Sequence, residues 1–178
     1  MDEVDEIVAA WRRERPDLDV EPLHVLSRIS RLAAVLDERR SDAFVAHGLQ
    51  AHEFDVLTAL RRGGPPFELS AGELGAQTHV TSGTMTNRLD KLTARKFVTR
   101  RADPVDGRVV RVRLTAEGRR RVDAAFEALL ATERELLARL VDPGRATLTS
   151  ALRDLLIATT TGASNEASKD GADGVPLG

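Results

Sequence analysis

The sequence predicts a mainly α-helical fold, in which two short helices and a two-stranded β-hairpin lie between longer helices. The composition supports this prediction, because Ala, Leu and Arg dominate the 178 residues and Tyr is absent. Apolar residues recur with helical spacing over most of the chain. Only residues 97–114 differ. Apolar and basic residues alternate there on either side of a turn that contains Pro104 and Gly107, which predicts a hairpin.

Three helices are predicted before residue 63. The first is amphipathic, because its apolar residues are spaced i, i+3, i+4 and i+7. Residues 16–22 have proline at both ends and break the pattern. Gly48 suits a left-handed cap after the second helix, and a Gly-Gly-Pro-Pro loop follows the third. The apolar stripe of the first helix is Val4, Ile7, Val8 and Trp11, and the other two helices span residues 23–46 and 51–62.

A helix-turn-helix is predicted next. Ser70 can cap its first helix, and Glu73 completes a capping box. Thr81 or Ser82 can cap its second helix, which continues to about Arg95. With the hairpin that follows, the order of elements is that of a winged helix-turn-helix, whose second helix typically enters the major groove of DNA. The two strands of the wing are predicted at residues 97–101 and 109–114.

Two long helices are predicted after the wing, with an Asp-Pro-Gly turn between them. The long helices carry more apolar surface than so small a lobe can cover, so we expect a second copy of the chain to pack against them. The final residues lack periodicity and are expected to be disordered. The late helices are predicted at residues 116–140 and 145–160. The predicted regions are an N-terminal helix and linker (1–22), a dimerisation region (23–50 and 116–161), a winged lobe (51–115) and a disordered tail (162–178).

Basic residues are concentrated in the predicted lobe. Residues 81–121 contain twelve Arg and Lys and four acidic residues, a net charge of +8, whereas the whole chain carries −2. Such one-sided basicity is the electrostatic footprint of phosphate binding, and a solvated charged face is the alternative explanation. Together with the winged order of elements, the charge predicts double-stranded DNA as a partner.

Composition also limits other classes of function. The chain has no Cys, which excludes disulfides and thiol-based sensing. No apolar run is long enough to span a bilayer and no signal peptide is recognisable, so we expect a cytoplasmic location and no membrane partner. His47 and His52 could flank a metal, but the four scattered His predict no metal site. No nucleophile–base set or phosphate loop indicates an enzyme, and no cofactor is predicted.

A spaced pattern of residues between Thr84 and Gly118 carries a resemblance. Its members are Thr86, Arg88, Leu89, Leu92, Asp106, Arg108, Leu114, Thr115 and Gly118. With these residues the segment resembles the MarR family of winged-helix regulators. The resemblance implies a homodimeric transcription factor, usually a repressor, that releases DNA when a small anion binds. The sequence departs from the family at Lys96, where Gly is usual, and a left-handed Lys costs on the order of 1 kcal/mol.

The N-terminal half carries a narrower resemblance. The segments WRRERPDLD and GLQAHEFDVLTALRRGGPPFELS look like the urate-responsive branch of the family, which binds urate or related anions between the winged lobe and the dimer core. By this resemblance, Trp11, Asp55, Arg88 and Arg100 are predicted to bind the anion. Simpler explanations are a core anchor for Trp11, a solvent-facing carboxylate for Asp55, and a phosphate contact or structural ion pair for Arg88.

Helical geometry separates the faces of the second helix of the helix-turn-helix. At about 100° per residue, Met85, Leu89 and Leu92 define its inward side. Arg88 lies about 60° from that side, so it flanks the core and can reach a pocket behind the helix.

The outward side of the same helix carries short polar residues that can contact phosphates or base edges, and Asn87 can pair with adenine. Arg108, on the turn of the wing, suits the minor groove, and an ion pair with a neighbouring aspartate is the alternative. The predicted DNA contacts are Ser82, Thr84, Thr86, Asn87, Lys91, Arg108 and Arg111.

These features predict a homodimeric transcriptional repressor that binds a pseudo-palindromic operator. Its DNA affinity is expected to fall when a small anion binds, with urate, a related purine, a phenolate or a citrate-like acid as candidates. Two alternatives stay open. A winged-helix module for protein assembly would show no salt-dependent DNA affinity, and an architectural DNA binder would bind any duplex and ignore metabolites.

Overall fold

The computed structural model describes the backbone of residues 1–167 and the side chains of residues 1–160. The described chain forms seven helices and three strands, which confirms the predicted mainly α fold. It divides into two compact units, residues 1–132 and the segment from Glu133 onward. No helix within residues 1–167 is long and apolar enough to cross a membrane. The elements are α1 (Glu3–Glu14), α2 (Pro22–Ala46), α3 (Ala51–Arg62), β1 (Glu68–Ser70), α4 (Ala71–Thr78), α5 (Ser82–Ala94), β2 (Val98–Ala102), β3 (Val110–Leu114), α6 (Ala116–Leu137) and α7 (Gly144–Ala167).

The core of the first unit lies between α3, α4, α5 and the sheet, and residues from the early part of α6 complete it. Helix α5 contributes Met85, Leu89 and Leu92, which are at most 2% exposed. This confirms the predicted inward side of α5. Each buried side chain of this size contributes roughly 1.5–3 kcal/mol. One side of α5 is therefore held firmly against the core, and the opposite side is left free for a partner.

The caps predicted for the helix-turn-helix are present. The Ser70 hydroxyl accepts a hydrogen bond from the Glu73 N–H at 3.1 Å, and the Glu73 carboxylate accepts one from the Ser70 N–H at 2.7 Å. This reciprocal pair is a capping box. Thr81 caps α5, with its hydroxyl 3.4 Å from the Thr84 N–H. His79 ends α4 in the left-handed conformation at φ 53°, so a short turn sets the angle of α5.

The sheet has three strands in the order β1-β3-β2, whereas the sequence predicted two. The additional strand β1 pairs antiparallel with β3, with Leu69 opposite Val112. Its three residues are too few to show a two-residue period, which explains why the prediction missed it. The paired strands β2 and β3 form the predicted wing, with Arg100 opposite Val112.

Lys96 occupies the helix-ending position where the family resemblance predicts Gly. It adopts φ 60°, so α5 ends in a left-handed residue although a side chain is present. The Lys96 N–H donates to the Thr93 carbonyl at 2.9 Å, and the Phe97 N–H donates to the Leu92 carbonyl at 3.0 Å, which is a Schellman motif. The Thr115 hydroxyl donates to the Lys96 carbonyl at 2.8 Å. These bonds hold the turn despite the cost of a left-handed Lys.

Helix α1 docks on α2 through a small apolar contact and ion pairs. Val4 and Val8 are 1% exposed, as the amphipathic pattern predicted. Arg28 of α2 lies 2.6 Å from the Asp5 carboxylate. Trp11, however, is 48% exposed, so the simple explanation of Trp11 as a core anchor is wrong. The stripe is covered at its first turns and open at its last.

The late helices have different ends from those predicted. Helix α6 ends at Leu137, and α7 begins at Gly144 and continues to Ala167. Residues 162–167, which we expected to be disordered, are therefore helical. A helix can propagate past its last apolar residue, because each added residue closes another backbone hydrogen bond. The rest of the predicted disordered tail, residues 168–178, lies outside the described residues.

A buried carboxylate links α3 to the end of α5. The Glu53 side chain is 4% exposed and accepts hydrogen bonds from Arg95 at 2.5 Å and from the Gln50 N–H at 2.9 Å. Burial acts to raise the pKa of Glu53, but these hydrogen bonds outweigh it and leave the pKa below its ordinary value. Arg95 also donates to the Gly48 carbonyl at 2.5 Å. The pair thus fastens the helix-turn-helix to the loop before α3.

We expect Glu53→Gln to lower the free energy of unfolding by about 2 kcal/mol at pH 7, because a charged hydrogen bond is lost. Since the folded pKa of Glu53 is lowered, its stabilisation is complete above the unfolded pKa of about 4.3 and is lost as pH falls through the folded pKa. Urea unfolding at pH 7 and at progressively lower pH should show the two proteins converging in acid. Glu127→Gln, at an exposed position of α6, is the control. An equal deficit at every pH would contradict the role of the charge.

Candidate DNA interface and ligand site

The outward side of α5 is a polar, exposed surface. Ser82, Thr84, Thr86, Asn87 and Lys91, all predicted DNA contacts, are exposed. The Thr86 hydroxyl donates to the Ser82 carbonyl at 3.0 Å, which turns its methyl group and oxygen into a defined orientation. The surface therefore offers hydroxyl, amide and ammonium groups on the side opposite the buried face, and these groups can contact phosphates and base edges.

Ion pairs neutralise part of the basic cluster. Within the described residues, Lys91 and Arg108 have no carboxylate within 4 Å, and both are exposed. They remain available for phosphate. The basic residues of 81–121 that do lie within 4 Å of a carboxylate are Arg95, Arg100, Arg101, Arg111, Arg120 and Arg121.

Arg111, the remaining predicted DNA contact, is held inside the wing. Its guanidinium lies 2.6 Å from the Asp103 carboxylate and 3.8 Å from that of Glu73. The Arg111 hydrogen bond, followed by bonds from the backbone N–H groups of Val105 and Asp106, lowers the pKa of Asp103 to about 2. The pair stays ionised at neutral pH, so the first role of Arg111 is to stabilise the conformation of the wing.

The structure brings Asp55 and Arg88 into each other's electrostatic range. Partial burial raises the pKa of Asp55, and the positive charge of Arg88 opposes this rise. Neither residue has an ion-pair partner within 4 Å among the described residues. Arg100 is instead paired with Asp90 at 2.7 Å, which ties β2 to α5. Asp55 of α3 therefore senses the charge of Arg88 of α5, whereas Arg100 already has a carboxylate partner.

Trp11 is not joined to this group by any described hydrogen bond or ring contact. Its helix packs on α2 through the contact of Val4 and Val8. The predicted cluster of four residues is thus only partly assembled in the single chain.

Two cavities open beside Asp55. The first, of about 290 Å³, lies between α3 and the end of α4. The second, of about 320 Å³, lies between α2, α3 and the part of α6 that belongs to the first unit. Phe54 and Asp55 line both cavities, whereas Arg88 and Arg100 line neither. Asp55 is consequently the predicted residue best placed to respond to a molecule in either cavity.

The first cavity contains polar residues that the sequence analysis did not predict: Thr58, Arg62 and His79. The Thr58 hydroxyl oxygen is buried and has no hydrogen-bond partner among the described residues. Phe54, Thr58 and Arg62 follow one another at a spacing of four, so helical periodicity places them on one side of α3. The cavity itself forms only when the end of α4 packs beside this side of α3. No local pattern in the sequence predicts it.

Comparisons with known proteins agree with this geometry. Residues 47–109 match the model of the MarR family. The chain is 37% identical over 135 residues to the HTH-type transcriptional regulator PecS of Dickeya dadantii (strain 3937), covering 76% of this chain and 81% of PecS. Wild-type MarR from E. coli in its apo form has a similar structure, with a TM-score of 0.63 and 26% identity over 74% of this chain and 96% of MarR. A mutant of E. coli MarR complexed with operator DNA gives a TM-score of 0.64 and 25% identity over 78% of this chain and 99% of that protein.

Proposed function

We propose that this chain, which belongs to the MarR family and is a DNA-binding transcriptional regulator, is a homodimeric repressor released from its operator by a small anion. The observation that carries the proposal is the division of α5 into a buried apolar side and an exposed polar side. Such a helix can enter the major groove without loss of core contacts. The similarity to a MarR structure complexed with operator DNA supports double-stranded DNA as the partner.

Ser82, Thr84, Thr86 and Asn87 are assigned to the major groove, and Lys91 to the phosphate backbone. Arg108, at the exposed tip of the wing, is assigned to the minor groove, where the potential is most negative. Arg111 is not assigned to a direct DNA contact, because the Asp103 carboxylate already compensates its charge.

The dimer is supported by apolar surface that a single chain leaves open. Helix α2 exposes Val25, Leu26 and Leu32 by more than half of their surface. In the second unit, α7 exposes Leu152 by 44% and Leu156 by 64%. Contiguous exposed apolar surface on long helices is typical of protein–protein interfaces. A two-fold dimer would also set two copies of α5 about one DNA turn, roughly 34–36 Å, apart.

The anion is placed beside Asp55 and Arg88, with Arg100 as its second cation. In the free protein the charge of Arg88 favours the ionised Asp55. An incoming anion competes for Arg88, draws Arg100 from Asp90 and repels Asp55. Each of these changes acts on α3, α5 or β2. Each therefore alters the position of α5, which is the recognition helix. Trp11 enters the site through the family resemblance alone, as a flat surface for stacking.

The proposal is tested by DNA binding to the chain's own upstream region, measured by fluorescence anisotropy with and without urate, other purines, phenolates and citrate. We expect salt-dependent binding and a 5–150-fold loss of affinity with at least one anion, which corresponds to about 1–3 kcal/mol of coupling. Arg88→Ala should keep measurable DNA binding and lose the anion response. Arg139→Ala, an exposed cation outside the winged lobe, is the matched control and should keep both.

Two outcomes would contradict different parts of the proposal. Absence of salt-dependent DNA binding would contradict the proposal that the chain is a repressor. If DNA binding is normal and no anion of the panel changes it, the proposed release by an anion is contradicted, whereas the DNA-binding function is supported.

A further inference from the structure

Asp103 lies at the neck of the wing, just after β2, and its carboxylate contacts both the wing-tip turn and β3. We propose that Asp103 is a positioning residue for DNA binding, which fastens the wing-tip turn so that Arg108 is presented to the minor groove in one orientation. The inference rests on the proposed wing contact through Arg108. It adds a residue that touches no DNA itself and whose charge, taken alone, opposes DNA binding.

The Asp103 carboxylate organises the turn with both oxygens. Its Oδ1 accepts hydrogen bonds from the Val105 N–H at 2.8 Å and the Asp106 N–H at 3.1 Å. Its Oδ2 accepts one from Nε of Arg111 at 2.6 Å, across the hairpin on β3. The Asp103 N–H donates to the Val109 carbonyl at 2.8 Å and closes the hairpin below the turn. Asp103 therefore joins β3 to the first half of the tip through its side chain and closes the hairpin through its backbone N–H.

A second set of bonds continues from the turn to Arg108. The Asp106 carboxylate accepts a hydrogen bond from the Arg108 N–H at 3.0 Å. The Val109 N–H donates to the Asp106 carbonyl at 2.9 Å. Because Asp103 holds the N–H of Asp106, and Asp106 holds the N–H of Arg108, the backbone at the tip is fixed by consecutive contacts that begin at Asp103.

Burial separates Asp103 from the residues it positions. The Asp103 side chain is only 10% exposed, although it lies on a projecting wing, whereas Val105 at the tip is 95% exposed. A covered carboxylate with three donors is a structural centre, and an exposed side chain beside it is free to insert into a groove. Ordering the tip before DNA arrives removes part of the entropy cost that binding would otherwise carry.

Electrostatics and positioning predict opposite signs for the loss of this charge. Removal of an acid beside a DNA-binding surface should tighten binding, because repulsion from the phosphates disappears and Arg111 loses the nearer of its two carboxylate partners. If Asp103 positions Arg108, the same change should weaken binding. The sign of the effect therefore decides between the two roles.

The experiment is a double-mutant cycle of Asp103→Ala and Arg108→Ala on operator DNA at several salt concentrations. We expect Arg108→Ala to weaken binding across sequences and to flatten the salt slope by about one ion per site lost. We expect Asp103→Ala to weaken binding about 5- to 10-fold, as for the loss of ordering of a few groups. In the Arg108→Ala background, the same change should alter affinity by less than about twofold, because Asp103 acts through Arg108.

Two further variants separate the contacts of Asp103. Asp103→Asn keeps an oxygen for the two backbone N–H groups but loses the charge opposite Arg111. We therefore expect this variant to lose about threefold in DNA affinity. Glu68→Gln is the matched control, since it removes a carboxylate that pairs with Arg101 at 2.8 Å on the same sheet but does not hold the tip. It should leave the affinity unchanged or slightly increased.

A readout in the free protein tests the positioning without DNA. Backbone ¹⁵N relaxation should show greater mobility at residues 105–108 in Asp103→Ala than in the wild type. Unchanged mobility there, tighter binding by Asp103→Ala, or additive losses in the cycle would each overturn the inference. A wild-type protein that binds no operator would instead overturn the proposed function, while the relaxation measurement would still decide the role of Asp103.

Discussion

Replacing Gly118 with alanine is expected to destabilise the protein by about 3 kcal/mol and to abolish DNA binding, because an added methyl group has no space. A Cβ at this position would lie 2.1 Å from the carbonyl oxygen of Phe97 and 2.9 Å from its carbonyl carbon. Phe97 cannot yield easily, since its carbonyl accepts the Thr115 N–H at 3.0 Å and its N–H donates to Leu92 at 3.0 Å. The clash would separate the start of α6 from the end of α5.

A second helical glycine provides the control. A Cβ on Gly83, in the first turn of α5, would meet no atom within 4 Å. Gly83→Ala should therefore leave stability unchanged or raise it by up to about 1 kcal/mol, through helix propensity and a less flexible unfolded chain. Urea unfolding of both variants measures the contrast. Equal stability of the wild type and Gly118→Ala would show that the close approach of α6 to Phe97 does not exist in solution.

Leu152→Glu is expected to convert the proposed dimer into a monomer. Leu152 lies on the apolar side of α7, where a charge buried by a partner without compensation costs several kcal/mol. Light scattering at dilute concentration should give twice the 19.4 kDa chain mass for the wild type and a single chain mass for the variant. Operator affinity should fall together with the mass, because one lobe reads only one half-site.

Ser150→Glu is the matched control, because Ser150 is exposed and lies about 160° around α7 from Leu152. The same charge at that position should leave the dimer intact. A folded wild-type monomer, or a dimer that survives Leu152→Glu, would contradict the assembly part of the proposal. Dissociation by both variants would point to a general sensitivity of α7 to charge and not to an interface.

Local signals in the sequence were enough to predict the winged lobe and the two sides of its recognition helix, α5. The caps at Ser70 and Thr81 and the apolar spacing of Met85, Leu89 and Leu92 are confirmed by the structure. These signals are local: a cap requires an oxygen within three residues of an N–H, and a buried side requires only the helical period. Elements built on such short-range rules can be predicted from a single chain.

Which charged side chains form ion pairs depends on how distant segments pack together. Arg111 was predicted to contact DNA and is bound to Asp103, and Arg100 was predicted to bind an anion and is bound to Asp90. Trp11 fits its amphipathic stripe and still lies half exposed. A guanidinium reaches several Å beyond its backbone, so its partner depends on which strand or helix packs beside it.

The same reason explains the strand and the cavities that the prediction missed. Strand β1 is defined by its pairing with β3, and the cavity beside Thr58 is defined by how α4 packs against α3. Neither feature follows from the residues within one element. The periodic faces and caps of helices can therefore be predicted from the sequence. Strand pairing, ion-pair partners and cavities form only when distant segments come together.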